Sequence, residues 1–275
     1  FLTVLAIFII IPFYWMISLS LRTSIEIESG SLNFFQQTFT LSNYGNAIDP
    51  NQTDLLRSFV NTIGVGIAST IFGTIVSILA GFALGRLNFK GKDLIFTLLL
   101  ATMMIPGEMM VLTNYTTVND LGWVKTLATE GFTMGPYYAM VFPFLVSVFH
   151  IYLLRNAFKQ IPNELYWAAK VDGTSDFKYL RKVLVPMASA SLTSIIIMKM
   201  IGTWNAYVWP NLVAGSEEYG LVTAVLKHGF ADASGQSNAG LQMAAVVWVV
   251  TPLLIVFIIF RKYIMKGVSR SGIKG

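Results

Sequence analysis

The chain has 275 residues, of which 55% are hydrophobic and only 12% are charged, and its formal net charge is +5. Soluble domains spend about a quarter of their residues on charge, so this composition excludes an ordinary water-covered domain and indicates lipid-facing helices. The absence of cysteine excludes disulfides and cysteine-ligated metals, and two histidines leave little scope for a metal site.

Six apolar stretches are long enough to cross a lipid bilayer, whose hydrocarbon core takes about 20 residues of helix. In chain order they are residues 1–21, 59–84, 94–112, 137–154, 187–209 and 241–260. The first has no small-residue cleavage site and is long for a signal-peptide core, which favours a retained span. The sequence therefore predicts an all-α membrane protein with six transmembrane helices, forming one domain over residues 1–275.

Positive charge is distributed unevenly over the segments that connect these spans. Most of the 19 lysines and arginines follow the second and fourth spans or lie in the tail at residues 261–275. Lysine and arginine accumulate on the cytoplasmic side of membrane proteins, so both termini are predicted to be cytoplasmic, in an inner or plasma membrane. The net charge is then an orientation signal, and no nucleic-acid partner is expected.

The second span is rich in small residues. Gly66, Thr70, Gly73 and Ser77 recur at spacings of three and four, which places them on one face of a helix. Small residues let helix backbones approach closely in membranes. We therefore expect this face to pack tightly against neighbouring helices.

The third span is interrupted by Pro106-Gly107-Glu108. Discontinuous helices mark the pathways of many transporters, because the freed backbone groups need a cavity or a protein neighbour. Alternatively, the span ends there and Glu108 lies near the outer surface. The sequence leaves both interpretations open.

A polar segment, "NELYWAAKVDGTSDFKYLRKVLVP" at residues 163–186, separates the fourth and fifth spans on the predicted cytoplasmic side. Glu164 suits the first turn of a helix, where a carboxylate faces the positive end of the helix dipole. The Asp-Gly pair ends this helix, because Gly173 tolerates the left-handed conformation. Thr174 or Ser175 can cap a second helix. The pattern predicts a helix–turn–helix for docking, although a solvated amphipathic linker would have the same composition.

This segment resembles the EAA loop of permease subunits in binding-protein-dependent ABC importers. The usual form of that loop is Glu-Ala-Ala, three residues, Gly, and a Leu-Pro further on. The matching positions are Ala168, Ala169, Asp172, Gly173 and Pro186. Two positions differ, since Trp167 stands where the family has its glutamate and Val185 replaces the leucine. Glu164, one turn earlier, could replace part of that ionic contact, or Trp167 could dock by apolar contact.

Further motifs extend the resemblance over nearly the whole chain. They are "MIPGEMMVLTNY" at 104–115, "LGWVKT" at 121–126, "TWNAYVWP" at 203–210 and "SRSGIKG" at 269–275. Together they resemble the smaller six-span permease of maltose-type and multiple-sugar importers. The resemblance implies a type I ABC importer fold and carbohydrate, specifically oligosaccharide, as the solute. An importer for a non-sugar solute would have the same loop.

The resemblance also implies a set of partners and cofactors. A second permease, two cytoplasmic ATPase subunits and an extracytoplasmic solute-binding protein are expected, with the chain embedded in the lipid bilayer. Residues 159–186 would couple the permease to an ATPase. The chain has no phosphate-binding Gly-x-x-x-x-Gly-Lys-Ser/Thr motif, so we expect a subunit without catalytic residues or cofactor, with ATP and Mg²⁺ in the ATPases.

The fifth span contains polar and aromatic residues that suit a transport pathway. They are Lys199, Trp204, Asn205 and Tyr207. Ionisable groups inside a membrane usually face a bundle interior or cavity, and aromatic rings can stack on sugars. Alternatively, the aromatic residues form an interfacial belt and Lys199 contacts the second permease.

Two other classes of protein are less consistent with the sequence. An ion-coupled secondary carrier usually has carboxylates at mid-membrane, and Glu108 is the single candidate in the spans. An intramembrane enzyme would need a catalytic pair or metal ligands, which the spans do not offer.

Overall fold

The structure is a computed structural model that describes residues 1–29, 33–125, 131–228, 230 and 238–269. Within these ranges every regular element is a helix. The α-helices are α1 (Leu2–Ser20), α2 (Ser24–Glu28), α3 (Ser42–Ile48), α4 (Leu55–Gly85), α5 (Lys92–Thr102), α6 (Val111–Asp120), α7 (Gly135–Val141), α8 (Val148–Lys159), α9 (Asn163–Val171), α10 (Asp176–Tyr179), α11 (Val185–Met187), α12 (Ser189–Trp204), α13 (Val208–Ala214), α14 (Val222–His228) and α15 (Ala239–Ser269). The remaining helical segments are short. Three are 3₁₀ segments, at Gly107–Met110, Phe142–Phe144 and Glu217–Tyr219, and one is a π segment at Leu180–Leu184.

Three helices in the described chain, α1, α4 and α15, are long and apolar enough to cross a membrane. Three further apolar stretches are pairs of helices bent by more than 40° at a short break. They are Lys92–Thr102 with Gly107–Asp120, Gly135–Phe144 with Val148–Lys159, and Asp176–Met187 with Ser189–Trp204. By length and composition, the described chain therefore has between three and six candidate spans.

The third apolar stretch is broken close to the Pro106-Gly107-Glu108 interruption. At Pro106-Gly107 the helix axis turns by 90°, and helical structure resumes at Gly107 and continues to Asp120. Proline has no backbone N–H and restricts the residue before it, so a continuous helix cannot pass this point. The third apolar stretch therefore consists of two helices at 90° to each other, which fits both a discontinuous span and a span that ends near Glu108.

The fifth apolar stretch also differs from its predicted bounds. The sequence predicts one span over residues 187–209, whereas α12 ends at Trp204 and α13 begins at Val208. Asn205 and Tyr207 lie in the turn between these helices. Hydropathy alone missed the break, because apolar and aromatic residues continue through it.

The chain divides into two compact units. One comprises Phe1–Ile63 and Trp204–Ile259, and the other comprises Gly64–Thr203 with the chain from Phe260 onward. We call them the terminal unit and the central unit.

The terminal unit contains a buried ion pair close to the end of α1. Arg22 Nη1 lies 3.5 Å from Glu26 Oε1, and both side chains are buried. The Glu26 carboxylate also accepts hydrogen bonds from the backbone N–H of Gln37 at 3.0 Å and of Thr38 at 2.9 Å. These bonds lower the pKa of the Glu26 carboxyl, so it is ionised at neutral pH. The pair fixes the chain around residues 37–38 against α2.

The central unit is built on the glycine face of α4. A Cβ atom at Gly66 would lie 2.7 Å from Met200 Sδ on α12, and one at Gly81 would lie 3.0 Å from Leu154 Cβ on α8. Only glycine permits such close approach, so the small-residue face packs tightly, as the sequence predicts. The neighbouring core is formed by Phe82, Leu154, Phe158, Ile161, Tyr179, Leu180, Leu184, Ala188, Leu192 and Ile195.

Candidate coupling module and transport pathway

We use the term EAA-like module for residues 159–186. Its first helix, α9, ends where the sequence predicts, because Gly173 adopts a left-handed conformation with φ of +68°. The N–H of Thr174 donates to the carbonyl of Ala169 at 2.9 Å, and that of Gly173 donates to Lys170 at 3.0 Å. This pair of bonds is the Schellman motif of glycine-terminated helices. Of the two candidate caps, Ser175 caps α10 by accepting from the N–H of Lys178.

A polar cluster holds the two helices of the module together. Tyr166 donates a hydrogen bond of 2.8 Å to Asp176 Oδ1, and Lys170 Nζ lies 2.9 Å from the same oxygen. The hydrogen bond to Asp176 raises the pKa of the Lys170 amine, so the amine is charged at neutral pH. The Tyr166 ring also meets the Tyr179 ring edge-on, with 5.1 Å between centroids. These contacts fix the angle between α9 and α10.

One face of α9 is exposed along its whole length. Glu164, Trp167, Ala168 and Val171 follow the i, i+3, i+4, i+7 spacing of a helical face, and all four are exposed. Trp167 is 60% exposed and Val171 is 89% exposed. Large exposed apolar residues grouped on one helix face indicate an interaction surface.

The other predicted residues of the module lie outside that face. Ala169 is half-buried and packs against the core of the central unit. Asp172 and Gly173 form the turn, and Pro186 is exposed within α11. The structure therefore separates these residues into an exposed face, a turn and a packing contact.

An arginine that sequence reasoning counted only as an orientation charge connects α4 to the module. Arg86 follows α4 directly and is buried. Its guanidinium donates hydrogen bonds to the carbonyls of Phe158 and Ile161 and to Asn163 Oδ1. Asn163 is the first residue of α9, so Arg86 bonds to both the end of α8 and the start of α9.

A second buried arginine makes the reciprocal contact. Arg155 Nε, on α8, donates a 3.0 Å hydrogen bond to the carbonyl of Leu84 near the end of α4. Its guanidinium also lies 3.8 Å from the centre of the Phe96 ring, which favours a cation–π interaction. We call Arg86 and Arg155 the arginine clamp. No sequence signal identifies it, because each arginine bonds to a backbone carbonyl about 70 residues away.

The predicted pathway residues do not fall within one compact unit. Lys199 is buried in the central unit on α12. Trp204, Asn205 and Tyr207 belong to the terminal unit. There Trp204 is buried and its indole N–H donates to the carbonyl of Val249 at 3.2 Å. Asn205 is exposed, and Lys227 Nζ lies 4.9 Å from the Tyr207 ring centre.

A metal-binding arrangement was not found in the described part of the chain. No three His, Asp or Glu side chains there are grouped closely enough to hold a metal ion. His150 lies on α8, and nothing is described of the His228 side chain. That the chain binds no cofactor stays a prediction.

Known permeases are similar to this chain over nearly its full length. The permease protein AraQ of an arabinooligosaccharides transport system from Halalkalibacterium halodurans is 27% identical, over 97% of this chain and 91% of the relative. The permease protein UgpE of an sn-glycerol-3-phosphate transport system from Rhizobium meliloti is 26% identical, over 96% of this chain and 92% of the relative. Both identities are low, so they show common ancestry rather than a common solute.

A solved structure shares the fold. A chain of a bacterial ABC transporter involved in the import of the acidic polysaccharide alginate superposes with a TM-score of 0.83. The superposition covers 95% of this chain and 93% of that chain, at 22% sequence identity. Residues 73–270, more than half of the chain, match the family described as "Binding-protein-dependent transport system inner membrane component". The protein therefore belongs to the family of inner-membrane components of binding-protein-dependent transport systems, and it has the fold of a type I ABC importer permease.

Proposed function

We propose that this chain is the permease subunit of an ATP-driven importer that moves carbohydrate into the cytoplasm. The observation that carries the proposal is the EAA-like module, whose exposed face of Glu164, Trp167, Ala168 and Val171 is held on a braced pair of helices. Such a surface suits docking to a cytoplasmic ATPase. Trp167 contributes apolar contact area where the family has a glutamate.

The proposed orientation has six spans and both termini in the cytoplasm. It is supported by the concentration of lysine and arginine after the second and fourth apolar stretches and in the tail. In this orientation the EAA-like module faces the cytoplasm. The whole chain would act as one transmembrane domain, with two cytoplasmic ATPases, a second permease and an external solute-binding protein as partners.

In the proposed mechanism the chain's own contribution is mechanical. ATP and Mg²⁺ would bind only the ATPase subunits, which move towards each other when ATP binds. The module would follow that movement as a rigid lever, because Tyr166, Lys170 and Asp176 hold its helices together. The arginine clamp would pass the movement to α4 and α8, and the spans would open towards the binding protein.

The solute is proposed from the relatives. AraQ is named for arabinooligosaccharides, and the solved structure comes from an alginate importer, so carbohydrate is the solute class with most support. The UgpE relatives are named for sn-glycerol-3-phosphate, which makes a non-sugar solute the second candidate. The proposed pathway residues are Lys199, Trp204, Asn205 and Tyr207. An ion-coupled carrier is disfavoured, because the family works with binding proteins.

Affinity purification tests the class of protein. The tagged chain is extracted gently from native membranes, and the proteins that co-purify are identified by mass spectrometry. A second permease with an ATPase is the expected result. Recovery of the chain alone, or only of copies of itself, would overturn the proposal and favour the carrier.

A matched pair of glycine substitutions tests the role of the module. Gly173 and Gly91 have φ of +68° and +83°, and a Cβ on either would contact nothing within 4 Å. Valine at either position costs about 1–2 kcal/mol of backbone strain, but only Gly173 lies in the module. Gly173→Val should reduce ATPase co-purification and solute uptake several-fold, whereas Gly91→Val should leave both near the wild-type level. Equal effects of the two variants would show that the module has no special role.

A further inference from the structure

Lys199 is a buried cation in the interior of the central unit. It lies within α12, five residues before the end of the helix, and is only 9% exposed. Its amine makes no hydrogen bond or ion pair with any residue that the structure describes. Lysine in a membrane helix is rare and normally has a partner, so its isolation needs an explanation.

The space beside Lys199 is provided by a glycine. The Lys199 amine lies against Gly73 of α4, and a Cβ at Gly73 would be 2.8 Å from Lys199 Cε. The same Cβ would lie 3.0 Å from the carbonyl oxygen of Leu145. Any larger residue at position 73 would displace the amine, so the packing keeps the lysine in place.

Within the central unit, three buried polar side-chain atoms on α4 and α8 have no hydrogen-bond partner in the described chain. Thr70 Oγ1 and Thr74 Oγ1 are buried on the turns of α4 that contain Gly73, and neither has a hydrogen-bond partner in the described chain. His150 Nδ1 is likewise buried without a partner, and His150 interacts electrostatically with Lys199. Buried polar atoms are nearly always hydrogen-bonded, so these unpartnered atoms on α4 and α8 favour a ligand as their partner.

The missing ligand carries negative charge. Burying a cation without a counter-charge is costly, because the interior stabilises charge far less than water does. The ion pairs of the described chain leave Lys199 out, since Asp93 pairs with Arg155 and Asp176 pairs with Lys170. Among the residues that the structure describes, none forms an ion pair with Lys199, so we look for the counter-charge in another molecule. One ammonium with hydroxyl and imidazole groups suits a monoanion better than a phosphate dianion.

We propose that Lys199, together with polar groups of α4 and α8 such as Thr70, Thr74 and His150, forms a binding site for a carboxylate. The carboxylate comes either from a solute, such as a sugar that contains uronic acid, or from an Asp or Glu of the second permease. In the first case the site selects acidic sugars, and in the second it joins the two permeases. The inference rests on the proposed function, because both sources require an assembled importer.

The test uses the importer complex purified through this chain and placed in lipid nanodiscs. Lys199→Met removes the charge at similar length, Lys199→Arg keeps it, and Lys90→Met removes an exposed lysine outside the EAA-like module as the control. Co-purification of the second permease is measured first. Binding of a trisaccharide of uronic acid and of a neutral trisaccharide is then measured by thermal shift. Failure of the wild-type chain to co-purify with any ATPase would contradict the proposed function before Lys199 is tested.

Each outcome for Lys199→Met decides a point. If Lys199→Met loses the second permease while Lys199→Arg and Lys90→Met keep it, the proposal is supported with the partner's carboxylate as source. An intact complex that binds the acidic trisaccharide at least about tenfold more weakly, with neutral-sugar binding unchanged, would support the solute as source. Unchanged assembly with no difference in acidic-sugar binding between wild type and Lys199→Met would overturn the proposal.

Discussion

Two groups of buried cations in the central unit differ in their surroundings. The arginine clamp satisfies its charges with backbone carbonyls, because Arg86 bonds to Phe158 and Ile161 and Arg155 bonds to Leu84. Lys199 has no such partner among the described residues. The clamp charges therefore stabilise the subunit itself, whereas the Lys199 charge is available for the carboxylate that we propose.

The position of each cation along its helix explains the difference. The last four carbonyls of a helix have no intrahelical donor, and the helix dipole makes that end negative. Arg86, which follows α4, reaches the C-terminal end of α8, and Arg155, on α8, reaches the C-terminal end of α4. The guanidinium group supplies several donors for such contacts. Lys199 lies where the helix carbonyls are already bonded, so its amine finds no acceptor on its own helix.

The largest change in the free energy of unfolding is expected for a substitution in the arginine clamp. Arg86→Met should lower the free energy of unfolding of the chain by about 3 kcal/mol, because three acceptors lose a charged donor. The measurement is unfolding of the purified chain by SDS in mixed micelles. Arg86→Lys keeps the charge with fewer donors, and an intermediate loss is expected.

Arg181→Met is the control for this prediction. Arg181 lies in the EAA-like module and is exposed, so its replacement should change the free energy of unfolding by less than about 0.5 kcal/mol. If Arg86→Met has as small an effect as Arg181→Met, the carbonyl contacts do not stabilise the fold. The contrast between the clamp and Lys199 would then be lost.

The sequence predicts the local features of this protein better than the long-range ones. The turn at Gly173 and the bend at Pro106 follow from residues whose backbone preferences act within a few positions. The glycine face of α4 follows from helical spacing. By contrast, Arg86 and Arg155 look like ordinary interfacial charges, because any residue type can supply the carbonyl that an arginine bonds.

In the candidate coupling module and pathway, too, some features could be predicted from the sequence and others could not. The exposed face of α9 could be predicted from the motif and its i, i+3, i+4 spacing. The isolation of Lys199 could not, because it depends on which side chains from α4 and α8 surround the amine. Nor could the break at Asn205 be predicted, since apolar residues continue on both sides of it.

Replacing Lys199 should change the free energy of unfolding less than replacing Arg86, and in the opposite direction, when the chain is measured without its partners. Lys199→Met should leave the free energy of unfolding unchanged or raise it by about 1 kcal/mol, since the substitution removes a buried charge that has no partner to lose. The same SDS titration measures it. A loss of about 2 kcal/mol or more would show that Lys199 has a partner within the chain, and the contrast with the clamp would disappear.

The smallest change in the free energy of unfolding is expected for the ion pair between Arg155 of the clamp and Asp93. Arg155 Nη2 lies 3.5 Å from Asp93 Oδ1, but the Asp93 side chain is 83% exposed. Exposed ion pairs contribute about 0–1 kcal/mol, because water screens them, so Asp93→Asn should cost less than about 1 kcal/mol. Asp54→Asn is the matched control, since Asp54 also lies 3.5 Å from an arginine, Arg57.

The two aspartate variants also show which contact holds Arg155 in place. If the Leu84 carbonyl and the Phe96 ring hold the guanidinium, Asp93→Asn and Asp54→Asn should be equally mild, and raising the salt concentration should change neither. A clearly larger loss for Asp93→Asn that disappears in high salt would assign Arg155 to its carboxylate instead. Only Arg86 would then satisfy its charge without a carboxylate, and the contrast with Lys199 would depend on that single residue.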